Sequence, residues 1–186
     1  CIAKGADVGR MFAEFFGKET GYCHGRGGSM HIADVKTGNL GANGIVGGGQ
    51  PLAVGAAIAC RNRGDGTVSI AFGGDGSSNQ GTVFEAMNLA VVLKAPAIFV
   101  FEDNGYSEHT GADYAVGSRD IAGRARGFGM PAETCDGSDF FAVHAAMARA
   151  LELARNGGRA AGPAAIETVA RAWFGVSARL GLDLLA

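Results

Sequence analysis

Two hydrophobic periods alternate along this chain, and the places where one gives way to the other mark out its elements. Thr67 to Phe72 (TVSIAF) is an apolar, β-branched run of strand length, stopped by Gly73-Gly74-Asp75-Gly76. From Gly81 the period changes. Val83, Met87, Ala90 and Val91 recur at helical spacing, with Glu85 and Asn88 off the stripe. Pro96 ends the helix region, and Ala97 to Phe101 (AIFVF) reads as a buried strand. Two strands joined by a helix of this length form a right-handed βαβ unit and lie parallel in one sheet.

The flanking segments repeat this alternation. Residues 4–18 carry Val8, Phe12, Phe15 and Phe16 at helical spacing, which predicts an amphipathic helix. Residues 17–49 are glycine-dense and too irregular for a regular element. With His24, Arg26, Ser29 and His31 interspersed, they form either a loop lining a site or a solvent loop. Pro51 to Arg61 reads as a closely buried helix of small residues. After a loop over Asn104 to Ser118, containing Tyr106, His109 and Tyr114, a helix is expected over Arg119 to Phe128, ended by Gly129. Pro131 to Cys135 predicts a short strand. Ser138 or Asp139 caps a further helix whose core face is Phe140, Val143, Met147, Ala150, Leu151 and Ala154. Gly157-Gly158 ends that helix, and Ala164 to Val169 is a final strand. Such alternation predicts an α/β fold, a doubly wound and mostly parallel sheet with helices on both faces.

In this arrangement the polar clusters fall at the carboxyl ends of strands. Asp75 follows one strand and Asp103-Asn104 the next, at the edge where open α/β sheets bind ligands. Gly74 and Gly76 allow close backbone approach, and the amides near Ser77 and Ser78 open a helix N-terminus suited to a diphosphate. Asp75 is then the natural ligand of a hard divalent cation shared with phosphate oxygens, an arrangement Mg²⁺ favours.

Composition narrows the class. The 186 residues suffice for a single domain with a proper core, and 32 glycines without a strict period exclude collagen. A net charge of −2 argues against a nucleic-acid footprint or a polybasic membrane patch. No run approaches the ~18 apolar residues of a membrane helix, and no signal peptide opens the chain. Cys1, Cys23, Cys60 and Cys135 lack CxxC or zinc spacing and read as reduced thiols of a cytoplasmic protein. His144, within a helical pattern, reads as structural. Gly41, Gly44 and Gly47 do not make GxGxxG, and GKET at Gly17 lacks the upstream Walker glycine, so nicotinamide and nucleoside-triphosphate chemistry are disfavoured.

Gly74-Asp75-Gly76, twenty-six intervening residues, then a pair ending in Asn104 before Gly105-Tyr106 resembles the thiamine diphosphate motif. GRGGSMHIAD (Gly25 to Asp34), GANGIVGGGQPLAVGAA (Gly41 to Ala57) and GDGSSNQGTVFEAMNLA (Gly74 to Ala90) resemble the alpha subunit of the thiamine-dependent first component of 2-oxo acid and acetoin dehydrogenase complexes. The likeness covers Cys1 to about Gly175. It implies a thiamine diphosphate-binding domain over residues 1–175 and a tail, 176–186, that does not match. It also implies that Asp75, the Asn104 side chain and the Tyr106 main-chain carbonyl hold Mg²⁺, while Gly74, Gly76 and Ser77 meet the diphosphate. Gly44 and Val46 would touch the aminopyrimidine, with the Val46 side chain keeping the cofactor bent. The implied partners are a beta subunit (an α2β2 assembly), which supplies the activating glutamate, and a lipoyl-bearing acyltransferase. The implied substrate is pyruvate or another 2-oxo acid, or acetoin. No general base is assigned in this chain; His31 and His109 are candidates to face substrate.

Three departures from the family pattern stand out. Asp103 occupies a position where the family usually has Asn, adding negative charge beside the diphosphate. The chain begins at Cys1, just after the place where relatives supply a Tyr-Arg pair to the phosphates. Val176 to Ala186 replaces a His-containing loop. The chain is thus either a catalytic subunit or a shortened subunit or fragment serving only in assembly.

Overall fold

The computed structural model describes residues 1–155 and 163–169. It divides into two compact units, Cys1–Val46 and Gly47–Ala186. The segment holding Gly157-Gly158, and the tail from 176, lie outside the described residues.

The first unit contains one regular helix, α1 (Val8–Phe15), where Asp7 Oδ1 accepts the Arg10 N–H at 2.7 Å as an N-cap. The amphipathic stripe forms as expected but faces outward: Val8, Phe12, Phe15 and Phe16 are all exposed, and the buried residue of α1 is Glu14. Beyond α1 the chain is loop, with two short 3₁₀ turns at Gly28–His31 and Val35–Thr37. Polar groups organise this loop. Glu14 Oε2 accepts the N–H groups of Cys23 (2.7 Å) and Gly25 (2.9 Å), and Oε1 those of Gly27 (2.6 Å) and Gly28 (3.1 Å). The Tyr22 hydroxyl accepts the Asp7 N–H at 2.6 Å and donates to Asp34 Oδ2 at 3.0 Å, with the Arg10 guanidinium 4.4 Å from its ring centroid.

The second unit is built on a four-stranded parallel sheet of order β1 (Ser69–Gly74), β2 (Ala97–Asp103), β6 (Ala164–Val169), β5 (Ala132–Asp136). Strand β1 runs two residues further than its apolar stretch suggests. Gly73 and Gly74 pair with Phe101 and Glu102 instead of stopping it. A Cβ at Gly73 would come within 2.6 Å of Gln50 Nε2 and Ser77 Oγ, so the strand continues there because it carries no side chain. Helices cover both faces, as the alternation predicts. On one face α2 (Gly49–Arg63), α3 (Gly81–Leu93) and α5 (Ile121–Gly127) enclose Ala71, Phe99, Phe101 and Ala165. On the other, α6 (Phe140–Arg155) covers Ile98, Val100, Ala164 and Ile166.

Within α3, Val83, Met87 and Ala90 are buried while Glu85 and Asn88 face out, in agreement with the periodicity. On α6 the buried line is Ala146, Ala150 and Ala154, with Met147 and Leu151 half-buried. Phe140, expected in the core, is exposed at the helix start beside Phe141 and stacks on His144. Asp139 caps this helix through Oδ1, accepting the Phe141 and Ala142 N–H groups. Helix α5 begins two residues later than expected, because Asp120 is its N-cap, accepting the Gly123 N–H at 2.5 Å. Arg119 lies just before it with φ +51°. Among the described residues no helix is long and apolar enough to cross a membrane, and all four cysteines are free.

Candidate functional site

The site forms where β1 and β2 end together. Their register pairs Gly74 with Glu102, and the Asp75 N–H extends the ladder by donating to the Glu102 carbonyl at 3.2 Å. Asp75 and Asp103 thus emerge side by side at the carboxyl edge of the sheet, as the βαβ reading requires. Both are buried, at 2% and 3% exposure. They line a small crevice with Ala112, Val116, Arg119 and Ile121.

Asp75 is the less satisfied of the two. Its Oδ2 is buried without a hydrogen-bond partner among the described residues. Burial raises its carboxyl above the ordinary aspartate range, the neighbouring Asp103 charge adds to that rise, and the Gly76 amide and Arg119 only partly oppose it. Asp103 is better satisfied: Oδ1 accepts the Gly105 N–H at 2.8 Å, and Oδ2 lies 4.0 Å from an Arg119 terminal nitrogen.

Past Asp75 the chain enters a 3₁₀ turn, Gly76–Asn79, and α3 opens only at Gly81. The amides near Ser77 and Ser78 therefore belong to a single tight turn, separate from the long helix. Ser77 Oγ donates to the Gly74 carbonyl and Ser78 Oγ to the Asp75 carbonyl, each at 2.6 Å. From α5, Arg124 donates to the Ser78 carbonyl (3.2 Å) and to Asn79 Oδ1 (2.9 Å), pinning the turn from outside. A Cβ on Gly76 would collide with the Ser107 side chain, so the glycine here is required by the packing of the chain's own hairpin against the turn. Ser107 belongs to a hairpin, β3 (Tyr106–Ser107) with β4 (Thr110–Gly111), which leads into the short helix α4 (Ala112–Ala115).

Within the second unit the structure brings several of the sequence candidates together. Asp75 lines the crevice, with Gly74, Gly76 and Ser77 beside it in the chain. Asn104 and Tyr106 follow Asp103 on the adjoining loop, where Asn104 is exposed and its Oδ1 accepts the Tyr106 N–H at 2.9 Å. The carboxylate against Asp75 is that of Asp103. Gly44 and Val46 lie in the first unit, both exposed, with the intervening Ile45 N–H donating to Asn43 Oδ1. His109 is exposed, and His31 Nδ1 sits 3.0 Å from the Gly27 carbonyl. Among the described residues no group of three or more His, Cys, Asp or Glu side chains could hold a metal by itself. Arg119 and Arg124 were missed from sequence; the basic run SRDIAGRAR around them was the available signal.

Comparison with known proteins decides the family, since residues 1–171 match the dehydrogenase E1 component family. The chain belongs to that family. It is 53% identical over 167 residues to the alpha subunit of acetoin:2,6-dichlorophenolindophenol oxidoreductase from Cupriavidus necator, covering 90% of this chain and 49% of the relative. It is 42% identical over 156 residues to the pyruvate dehydrogenase E1 component subunit alpha of Zymomonas mobilis, covering 84% of this chain and 44% of the relative. The chain therefore spans about half the length of the curated E1 relatives it matches. Among solved structures it resembles a Mycobacterium smegmatis protein described as a thiamin diphosphate-dependent enzyme, with TM-score 0.54, 29% identity, and coverage of 72% of this chain and 24% of that one. Campylobacter jejuni transketolase shares the fold at TM-score 0.60 and 20% identity, covering 76% of this chain and 22% of that one. The α/β architecture expected from the sequence is the one this chain shares with these two solved structures.

Proposed function

We propose that this chain is the diphosphate-holding part of an E1-type alpha subunit, which uses thiamine diphosphate and Mg²⁺ to oxidise acetoin or a 2-oxo acid such as pyruvate. The observation that carries this reading is Asp75 Oδ2, a buried oxygen without a partner at the end of a parallel strand. A carboxylate oxygen in that state fits a hard cation, which would offset both its burial and the Asp103 charge. Asn104 would be a further ligand: its Oδ1 spends one lone pair on the Tyr106 N–H and keeps the other for a cation. The Tyr106 carbonyl would complete the protein's share of the ligands, and phosphate oxygens and water the rest.

The backbone at Gly76 and Ser77 would meet the diphosphate, in a turn against which Ser107 packs at Gly76 and which Arg124 pins. Gly44 and Val46 would contact the aminopyrimidine. When bound, thiamine diphosphate supplies a carbon nucleophile and an electron sink for cleaving the bond beside the substrate carbonyl. This chain's residues would anchor the cofactor's phosphate end, through the cation at Asp75 and the backbone at Gly76 and Ser77.

The relatives named as alpha subunits support a beta partner, here proposed in an α2β2 assembly that passes its two-carbon product to a lipoyl-bearing acyltransferase in the cytoplasm. Acetoin is the favoured substrate, because identity is higher to the acetoin-named relative than to the pyruvate-named one.

Calorimetric titration of thiamine diphosphate, with and without Mg²⁺ and with the beta subunit co-expressed, tests the assignment. Saturable, metal-dependent binding is expected, and Asp75→Asn should weaken it by roughly 100-fold or more, since even outer-shell partners of a metal site are worth about 10- to 100-fold. Absence of binding in the assembled pair would leave the chain as an assembly element only. Reduction of 2,6-dichlorophenolindophenol, compared for acetoin, pyruvate and branched-chain 2-oxo acids, then fixes the substrate.

A further inference from the structure

The electrostatics around Asp75 involve a residue that the proposed ligand set does not use. Two buried carboxylates, Asp75 and Asp103, share one crevice, and Arg119 lines it with them. Arg119 is placed there at some cost: its backbone is left-handed, at φ +51°, a conformation that residues with side chains adopt rarely. Its guanidinium reaches two carboxylates. The nearer, Asp113 at 3.4 Å, has a side chain 95% exposed, so water screens that pair. The other, Asp103 at 4.0 Å, has a side chain only 4% exposed, so its charge is felt strongly.

We propose that Arg119 is a charge-compensating positioning residue, whose guanidinium neutralises Asp103 so that the crevice presents one net carboxylate, Asp75, to a divalent cation and its diphosphate. This rests on the thiamine diphosphate reading above. The physical logic is that two uncompensated carboxylates attract a divalent cation but repel the diphosphate that must arrive with it. With Arg119 in place, Asp103 can occupy its position without turning the site against its anionic ligand.

The proposal predicts effects of opposite sign. In Arg119→Gln, Mn²⁺ alone, used as a spectroscopic stand-in for Mg²⁺, should bind as well as in the wild type or more tightly. Thiamine diphosphate at saturating Mg²⁺ should bind about tenfold more weakly. Adding Asp103→Asn should restore diphosphate affinity to near the wild-type value, and Arg119→Lys should keep most of it. All four proteins are compared as full chains, with the beta subunit co-expressed, after circular dichroism has established that each folds. A fall in both Mn²⁺ and diphosphate affinity, or failure of Asp103→Asn to restore the latter, overturns the proposal while leaving the cofactor assignment standing. Wild-type protein that binds no thiamine diphosphate overturns both. Should Arg119→Gln alone not fold, recovery of folding in the Asp103→Asn background supports the pairing, and its absence refutes it.

Discussion

Glu14 sits on a helix whose apolar neighbours face outward, and its buried carboxylate holds four backbone N–H groups of the glycine-rich loop. Burial works to raise its carboxyl pKa, but those four donors outweigh it and hold it below the ordinary glutamate value of 4.5. The unfolded chain therefore takes up a proton on Glu14 more readily than the folded one. This contribution to stability is fully present above about pH 4.5 and is lost as pH falls through the lower, folded value. Glu14→Gln should act like permanent protonation with an added fault. A carboxamide presents an NH₂ where an oxygen is needed, opposing either the Cys23 and Gly25 donors or the Gly27 and Gly28 donors. Amide hydrogen exchange at Cys23, Gly25, Gly27 and Gly28 should be faster in the variant at pH 7, and the wild type should approach it on acidification below pH 4.5. Equal protection in the two proteins at neutral pH would remove Glu14 from this role.

At the scale of elements, the turn Gly76–Asn79 connects β1 to α3 and depends on α5 for its shape. Arg124 joins them through the Ser78 carbonyl, Ser78 Oγ and Asn79 Oδ1, and lies 5.8 Å from the Phe84 ring centroid. Arg124→Met keeps the apolar stem and removes the donors. It should cost about 1.5–3 kcal/mol, the usual worth of hydrogen bonds to a charged group, read as a lower urea midpoint with unchanged slope. A midpoint equal to wild type would mean the turn holds itself. These elements also mark how far the sequence could be read. Strand β2 was legible because AIFVF is buried on both faces of the sheet, and α3 because its stripe has a single period. The end of β1 was not, since Gly73 and Gly74 carry turn signals and their strand pairing is decided by β2. Nor could periodicity say that the α1 stripe stays exposed or that Phe140 lies outside the core; it shows that a face exists and leaves open what covers it. Asp75 was legible as a site residue from motif spacing. Its neighbour Asp103 followed from the βαβ reading, but the arrival of Arg119 beside them did not, because that depends on the loop from Asn104 to Ser118 returning to the sheet edge.

The whole molecule combines two modes of construction. The first unit owes its order to Glu14 and Tyr22, with few buried apolar side chains, chiefly Ala6 and Ile32. The second rests on two apolar layers that meet back to back at β2, where Phe99 belongs to the layer under α2, α3 and α5, and Ile98 to the layer under α6. Both side chains are fully buried, but the clusters they enter share no residue. Phe99→Ala should therefore cost about 3–5 kcal/mol and Ile98→Val about 0.5–1.5 kcal/mol. The first is a large fraction of the roughly 5–15 kcal/mol that stabilises a typical domain. Adjacent substitutions usually interact, yet here the two cavities would open on opposite sides of the sheet with no shared partner. The double variant should accordingly lose the sum of the two costs to within about 0.5 kcal/mol, in a single unfolding transition. An excess well beyond that sum would mean that β2 itself shifts when either layer is emptied. The carboxyl end of that strand carries Asp103, so thiamine diphosphate affinity would then fall in Ile98→Val as well, although Ile98 lies near the other end of the strand on the face covered by α6.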